Sequence, residues 1–224
     1  IPKIFYFKNI FFQSMPITLS ICAYSFSAAI VFTYVGTAGE FATAGYGAAS
    51  RIEQVLFLPV LGINTAIISI ISQNFGAKNF IRIKETYFTA LKYALFIMVI
   101  AGIVIFLSAD IVTRIFSNNQ EVINYGTRYL KISAFVLPAY PIFFISNGFF
   151  MSLKKSENAM ISNMFRNLLV PISVFYLAKY ISADFNTFFW LWVSFNWTYS
   201  LIYLSVVLYY LRNRLEKSSN VVHP

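Results

Sequence analysis

The chain has very little of the residue types that carry enzyme chemistry. Its 224 residues include one cysteine, one histidine and 11% charged residues. The histidine, His223, is the penultimate residue, and Cys22 lies in an apolar run, so no nucleophile–base pair and no metal-ligand cluster can be built from them. Walker and dinucleotide-binding glycine motifs are also missing from the sequence. We therefore expect a protein that is not an enzyme and that needs no cofactor.

Long apolar runs dominate what is present. Hydrophobic residues make up 58% of the chain and the mean hydropathy is +0.68, far from an ordinary soluble domain. The runs are continuous rather than alternating, which favours membrane-spanning helices over a barrel. The sequence predicts an all-α, polytopic membrane protein with six transmembrane helices, a to f, at about 12–35, 44–73, 86–108, 129–152, 159–180 and 186–211.

Basic residues predict the orientation of these helices. The side that holds both termini carries ten Lys and Arg residues against five on the other side, so both termini are expected to be cytoplasmic, in a multi-pass protein of the plasma (inner) membrane. Residues 1–11 form a cytoplasmic segment or linker, 12–211 the helical bundle, and 212–224 a cytoplasmic tail. The net charge of +9 is spread over loop ends and tails. The bilayer is therefore the expected partner, and nucleic acid is not.

Two polar residues of helix b are predicted to share a face. Glu53 and Asn64 lie eleven residues apart, about three turns, and so point within roughly 20° of each other. Arg51 points the other way, with Gly62. Because polar side chains are costly in lipid, Glu53 and Asn64 are expected to face the interior, either as part of a transport pathway or as an interfacial acid and a packing amide.

Helix d carries a second polar stripe. Ser133, Tyr140 and Asn147 are spaced by seven, which places them on one face of a continuous helix. Pro138 and Pro141 interrupt the backbone between them, either for packing or to free carbonyl groups that line a pathway. The stripe is a candidate cavity wall. On helix e, Arg166 clusters with Asn163 and Asn167 near the cytoplasmic end, either as a cation that snorkels to the membrane surface or as part of a functional polar cluster.

The most specific pattern lies in helix b and the loop that follows it. The run Gly47-Ala-Ala-Ser-Arg51-Ile-Glu53 leads to Pro59 and Gly62, and then to Gln73-Asn74-Phe-Gly76-Ala77-Lys78-Asn79. Gly76 is expected to be the C-cap of the helix. Together with the six predicted helices, this pattern resembles the C-terminal half of a multidrug and toxic compound extrusion (MATE) transporter.

The resemblance implies a function and a partner. Transporters of this family have two six-helix lobes around a central cavity that opens alternately to either side, and they exchange Na⁺ or H⁺ for organic, often cationic, compounds. The chain would be the second lobe, working with an N-terminal six-helix lobe and a small organic substrate. The structural residues carried over from the motif are Pro59, Gly62, Gln73, Asn74, Gly76 and Ala77.

One departure from the family pattern bears on ion coupling. Some members carry acidic cation-site residues in the first and fourth helices of this lobe, whereas helices a and d contain no Asp or Glu within their predicted spans. A coupling acid would then belong to the other lobe or be Glu53, whose carboxylate in a partly desolvated cavity suits proton coupling.

Two other functions remain open. A lipid-linked oligosaccharide or polysaccharide flippase of the same superfamily would be favoured by a strongly basic cavity, for which Arg51, Arg166 and Lys92 are the candidates. A non-transporting membrane scaffold would keep its polar residues at the ends of the spans. The positions of Asn64, Tyr140 and Asn147 within spans disfavour the scaffold.

Overall fold

The computed structural model describes residues 4–215, which form helices and no strand. The α-helices are α1 (Ile4–Gly36), α2 (Glu40–Gly76), α3 (Phe80–Phe116), α4 (Gln120–Ser133), α5 (Ala139–Ser152), α6 (Ser156–Met164), α7 (Val170–Tyr180) and α8 (Phe185–Tyr210). A π-helical turn at Phe165–Leu169 joins α6 to α7, and another at Leu211–Leu215 follows α8. The fold is all-α, as predicted.

Five of the six predicted spans are continuous helices in the described part of the chain. The segments that are long and apolar enough to cross a membrane are Thr18–Gly36, Glu40–Gly76, Phe80–Phe116, Ser156–Tyr180 and Phe185–Asn213. The remaining span is divided into α4 and α5, with turns at 134–138 between them. The expectation of one helix over 129–152 is therefore wrong at this point, because the backbone breaks before Pro138.

Several helices extend beyond the predicted bounds. The structure begins α1 at Ile4, inside the segment assigned to a linker, and begins α4 at Gln120, nine residues before the predicted start of helix d. The early start of α4 has a local cause. The Asn119 side chain accepts hydrogen bonds from the backbone amides of Glu121 and Val122, and so caps a first helical turn that contains the charged residue Glu121. Most of the predicted tail, 216–224, lies outside the described residues.

The end of α2 differs from the expectation for Gly76. Gly76 is the last helical residue, and the residue with a left-handed backbone is Lys78, at φ 55°. The Asn79 amide donates to the Asn74 carbonyl at 2.9 Å and the Lys78 amide donates to the Phe75 carbonyl at 3.1 Å, which is the Schellman pattern of a helix end. Gly76 is therefore not the C-cap, and the turn is fixed two residues later.

Helix α2 is the centre of the bundle. It packs against α3, α4 and α5, while α5 also packs against α8 and α1 packs against the α6–α7 segment. Where α2 crosses α4, a Cβ added at Gly45 would lie 2.6 Å from the Val122 carbonyl oxygen and 2.8 Å from the Gly126 backbone nitrogen. The two backbones can approach this closely only because position 45 has no side chain.

The outer surface of the bundle is apolar. On α3, Leu107, Ile111 and Ile115 follow one another at helical spacing and are 77%, 67% and 75% exposed. In contrast, Ile105 and Ala109 on the same helix are buried. Apolar side chains on the outside with more apolar side chains inside are what a lipid solvent requires of a helix bundle.

The start of α8 is fixed by a polar cap at the bundle edge. The Asp184 carboxylate accepts a hydrogen bond from the Thr187 backbone amide at 3.1 Å. Hydrogen bonding by Thr187 lowers the pKa of Asp184 below its ordinary value. This cap sets where α8 enters the bundle, and the first turns of α8 supply part of the cavity described next.

Candidate functional site

A cavity of about 170 Å³ opens between α1, α2, α4, α5, the π-helical turn and α8. We call it the Glu53 cavity. Among the described residues that line it, Glu53 and Arg166 are the charged ones. Its other polar lining residues are Ser27, Ser50, Gln54, Asn167 and Asn196, together with the tyrosines Tyr24, Tyr46, Tyr129 and Tyr140.

Glu53 is held by two tyrosines from different helices. Its side chain is 9% exposed. The Tyr140 hydroxyl of α5 donates to Glu53 Oε1 at 2.6 Å, and the Tyr129 hydroxyl of α4 donates to Oε2. Within the described part of the chain no Lys or Arg lies within 4.0 Å of Glu53. Two phenol donors and no ion pair suit an ionised carboxylate that can still accept a proton or a small cation.

Aromatic rings form most of the wall around the Glu53 carboxylate. Tyr46 stacks edge-to-face on Tyr129 with ring centroids 4.9 Å apart, and Phe189 of α8 contacts Tyr129 at 4.7 Å. On the opposite side, Phe57 meets Tyr140 at 5.7 Å. These rings bury the carboxylate and offer flat apolar faces, which is typical of sites for aromatic or cationic organic molecules.

Arg166 lies in the same cavity, on the π-helical turn. Its guanidinium carbon is 4.6 Å from the Phe143 ring centre and 5.3 Å from that of Tyr140. Its Nη2 donates to Asn196 Oδ1 at 3.0 Å. Pro171, two residues after the end of the turn, has no N–H to donate to the Asn167 carbonyl four residues earlier, which accounts for an irregular helix here.

The interpretation of Arg166 as a snorkelling cation is therefore wrong. The guanidinium is held by rings of α5 and by an amide of α8 rather than extended to a membrane surface. Stacking on aromatic faces offsets part of the cost of removing the charge from water. Helical spacing alone placed Arg166 near a span end and could not reveal that Phe143 and Asn196 meet it there.

The six predicted pathway residues do not all meet in one site. Glu53 and Tyr140 line the Glu53 cavity, whereas Arg51 is exposed on the opposite face of α2. Ser133 Oγ donates to the Leu130 carbonyl of its own helix, and Asn147 Nδ2 donates to the Ala159 carbonyl at 3.0 Å, tying α5 to α6. The expected single stripe on helix d is not formed, because turns at 134–138 separate Ser133 on α4 from the other two residues on α5.

Asn64 faces the same way as Glu53 but makes a different contact. Its Oδ1 is buried without a hydrogen-bond partner and lies 2.0 Å from where a Cβ at Gly148 would be. Glu53 and Asn64 therefore both point at the α4–α5 segment, as their spacing predicted. Asn64 does not line the Glu53 cavity, and its contact with Gly148 is one of close packing.

From Pro59 onward, the residues of the helix b motif lie at the end of α2 and on its outer face. Pro59 and Gly62 are exposed within the helix. Gln73 Nε2 donates to Ser69 Oγ at 3.4 Å, and Asn74 Nδ2 donates to the Ile70 carbonyl at 2.8 Å. Gly76 and Ala77 belong to the helix end. These contacts are local to α2, so the part of the motif from Pro59 onward builds the helix and its terminus. Ser50 and Glu53, in the run that precedes Pro59, line the Glu53 cavity instead.

Two important residues of the cavity were not identified from the sequence. Tyr129 lies at the predicted start of helix d beside charged residues, and a tyrosine in such a position is usually interpreted as an anchor at the membrane interface. Asn196, only 1% exposed, lies in the aromatic-rich helix f and donates from Nδ2 to the Trp192 carbonyl. The available signal was the polarity of Asn196 in the middle of a span, which marks an interior position.

Comparison with known proteins shows the family of this chain. The MatE family model matches residues 16–177. The probable multidrug resistance protein YpnP of Bacillus subtilis (strain 168) is 24% identical over 139 residues, which is 62% of this chain and 30% of that protein. An FAD transporter of Shewanella oneidensis is 22% identical over 155 residues, which is 69% of this chain and 34% of that protein.

The structural comparison agrees with the sequence match. A solved structure of an inward-facing conformation of a multidrug resistance MATE family transporter of the MOP superfamily superimposes with a TM-score of 0.86 at 21% identity. The superposition covers 98% of this chain and 50% of the other. The chain therefore spans about half the length of that structure, and the sequence alignments span about a third of the curated relatives.

Proposed function

The chain belongs to the MatE family of transport proteins, and on this premise we propose that it is one six-helix lobe of a secondary active exporter. The exported compounds are small, organic and cationic, and they leave in exchange for Na⁺ or H⁺. Since the family consists of transporters rather than enzymes, the expectation that the chain is not an enzyme is confirmed.

The observation that carries this proposal is the position of Glu53. Glu53, a residue with 9% exposure, lines a cavity between spans, and two tyrosines donate to its carboxylate while no described Lys or Arg pairs with it. An intramembrane acid of this kind marks an ion or substrate pathway. In this proposal Glu53 is the acid that couples transport to the ion gradient. Helices a and d, where some family members carry such an acid, have no Asp or Glu within their predicted spans.

Exchange follows from competition for one carboxylate. When Glu53 is ionised, it attracts an organic cation that lies against the aromatic rings of Tyr46 and Phe57. When a proton or Na⁺ binds Glu53, that attraction is lost and the cation is released. Proton binding also changes the hydrogen bonds, because a protonated carboxyl group donates one bond itself and cannot accept from both tyrosines as before.

A second lobe completes the proposed exporter. Half coverage of the matched structure supports a partner lobe of six helices, and repeat-built transporters move by rocking one bundle against the other. The Glu53 cavity would then be one wall of a shared central cavity that opens alternately to either side. The plasma (inner) membrane is the proposed location, with both ends of this chain in the cytoplasm, which is supported by the excess of basic residues on that side.

The test is transport by the full reading frame that contains this chain, purified and reconstituted in liposomes. The probe is rhodamine B ethyl ester, a permanently cationic aromatic dye, and its movement is followed under an imposed H⁺ or Na⁺ gradient. For the Glu53→Gln variant we expect the gradient-driven rate to fall by about tenfold or more, as for loss of one essential charged contact.

The matched control is Glu40→Gln, which removes the same charge from an exposed position on α2. This control should transport the dye like the unmodified protein. If Glu53→Gln keeps its full dependence on both gradients, Glu53 is not the coupling group. If the unmodified protein moves no dye under either gradient, the proposal of cation export is wrong.

The flippase alternative finds less support in the geometry. A cavity for an anionic lipid-linked sugar would be basic, whereas the described lining of the Glu53 cavity contains one Arg and one Glu. Arg51 and Lys92 are exposed and lie outside that lining. A scaffold without transport has no use for an acid and a base between its spans.

A further inference from the structure

Arg166 is the charged residue of the cavity that cation export leaves without a role. It stands on the π-helical turn, across the cavity from α2, while Glu53 stands on α2 itself. Tyr140 lies between them, since its hydroxyl donates to Glu53 and its ring centre is 5.3 Å from the Arg166 guanidinium carbon. The described lining therefore carries one negative and one positive group, with no net charge. A positive group in the wall would repel a substrate that carries only positive charge.

The guanidinium of Arg166 is positioned but not saturated. Phe143 supports it from one side at 4.6 Å and Phe144 at 5.5 Å, and Nη2 bonds to Asn196. Its Nε–H is buried and has no hydrogen-bond partner among the described residues. No described Asp or Glu lies within 4.0 Å of the guanidinium. A buried N–H of a charged group without an acceptor is costly, which points to an acceptor that comes from the ligand.

The cavity limits which anion can bind there. A guanidinium binds carboxylates and phosphates through paired N–H donors. Glu53 lines the same cavity and repels additional negative charge, so a singly charged carboxylate suits the site better than a phosphate with two charges. The space of about 170 Å³, walled by rings, admits a carboxyphenyl group or a fragment of similar size.

We propose that Arg166 forms a carboxylate subsite of the Glu53 cavity, and that the preferred substrates are amphoteric aromatic compounds with both a carboxylate and a cationic group. This inference rests on the proposed function and refines its substrate class. The substrate carboxylate binds the Arg166 guanidinium, the aromatic part of the substrate packs against the aromatic side chains of the cavity, and its cationic group faces Glu53. Both charged walls of the cavity are then used by one molecule.

The test compares two dyes that differ in one group. Rhodamine B carries a free carboxylate and a cationic ring system, and its ethyl ester keeps the cation but loses the negative charge. Binding of each dye to the purified protein from the full reading frame is measured by fluorescence polarisation. We expect the unmodified protein to bind rhodamine B more tightly. Arg166→Gln should weaken rhodamine B by about tenfold or more and change the ester by less than about twofold, as for loss of one charge-assisted hydrogen bond.

Two further variants sharpen the result. Arg166→Lys keeps the charge without the paired donors, so it should restore part of the preference for rhodamine B. Arg128→Gln removes an Arg from the exposed surface of α4 and should leave both affinities unchanged. Size-exclusion profiles establish that each variant is folded. If Arg166→Gln proves unstable, displacement from the unmodified protein decides: benzoate should displace rhodamine B at a lower concentration than uncharged benzamide does.

The opposite outcomes overturn the inference. Equal loss of both dyes in Arg166→Gln would make Arg166 a structural residue, and equal binding of both dyes without displacement by benzoate would exclude a carboxylate subsite. In either case, gradient-driven export of the ester would leave the proposed function intact. Absence of gradient-driven export of both dyes would instead reject the proposed function, while the binding comparison still decides whether Arg166 binds carboxylates.

Discussion

Two of the contacts between helices α2 and α4 are built in opposite ways. At Gly45 the backbones meet directly, with Val122 and Gly126 filling the space that a Cβ would need. At Glu53, eight residues further along α2 and about 12 Å away, the helices are joined by a hydrogen bond from Tyr129, and a cavity opens beside it. The contact at Gly45 leaves no space between the helices, whereas the contact at Glu53 leaves space for a ligand.

The difference shows how a membrane bundle can keep a cavity open without losing its shape. Lipid offers no hydrophobic driving force between helices, so close packing at small residues carries much of the association. The Gly45 crossing supplies that packing and fixes the angle between α2 and α4. Polar groups are then tolerated at the Glu53 contact, because the helices are already held together at Gly45, about 12 Å away along α2.

Gly45→Ala should have the largest effect, since it breaks the close contact. The new methyl group would lie 2.6 Å from a backbone oxygen and 2.8 Å from a backbone nitrogen, neither of which can rotate away. We expect a loss of about 3 kcal/mol or more, at the upper end for overpacking, and a lower thermal midpoint in detergent by fluorescence-detected size-exclusion chromatography.

Gly47→Ala is the matched control for that experiment. It lies half a turn away on α2, and a Cβ there would meet only Phe32, at 4.0 Å. Its midpoint should be unchanged or slightly higher, because alanine is a better helix former than glycine. Equal midpoints for the two variants would show that the crossing at Gly45 is not close-packed.

Tyr129→Phe should have an intermediate effect, since it removes the polar contact and keeps the ring. Glu53 then loses one of its two phenol donors inside an apolar wall, at a cost of about 1.5–3 kcal/mol for a hydrogen bond to a charged group. The thermal midpoint should fall less than in Gly45→Ala. Tyr125→Phe, one turn earlier on α4 and packed on Phe185, is the control, and a midpoint equal to that control would contradict a role of Tyr129 in holding Glu53.

Asn64→Ala should have the smallest effect. Asn64 is polar like Glu53, but it packs against Gly148, and a glycine also forms the close contact between α2 and α4 at Gly45. The variant therefore tests whether Asn64 makes a polar contact or a close-packing contact. Its Oδ1 has no partner to lose, and we expect a change within about 1 kcal/mol of the unmodified protein, measured by the same thermal assay. A fall in the thermal midpoint as large as that of Tyr129→Phe would instead show that Asn64 makes a stabilising hydrogen bond, as Glu53 does.

Much of the fold could be predicted because hydrophobic run length reports directly on membrane spans. The shared direction of Glu53 and Asn64 also follows from helical periodicity alone, since α2 is continuous between them. Periodicity failed between Ser133 and Tyr140, because the seven residues that separate them cross the break at 134–138. A face defined by spacing exists only where the backbone hydrogen bonds continue.

The composition of the cavity could be predicted only in part. Glu53 and Tyr140 were found because polarity within a span is costly and therefore informative. Arg166 was misplaced and Asn196 was missed, because their positions depend on contacts between α5, the π-helical turn and α8 that are far apart in the chain. Pairings between distant helices are set by packing, which a single sequence does not encode in any local pattern.

The break between α4 and α5 gives the Glu53 carboxylate a mechanical meaning. Tyr129 precedes the break and Tyr140 follows it, so one side chain of α2 fastens two half-helices that the backbone no longer joins as a rigid rod. The carboxylate thus links the two half-helices across the break between them. An ion or proton that binds there, as proposed, would therefore alter the connection between both half-helices at once.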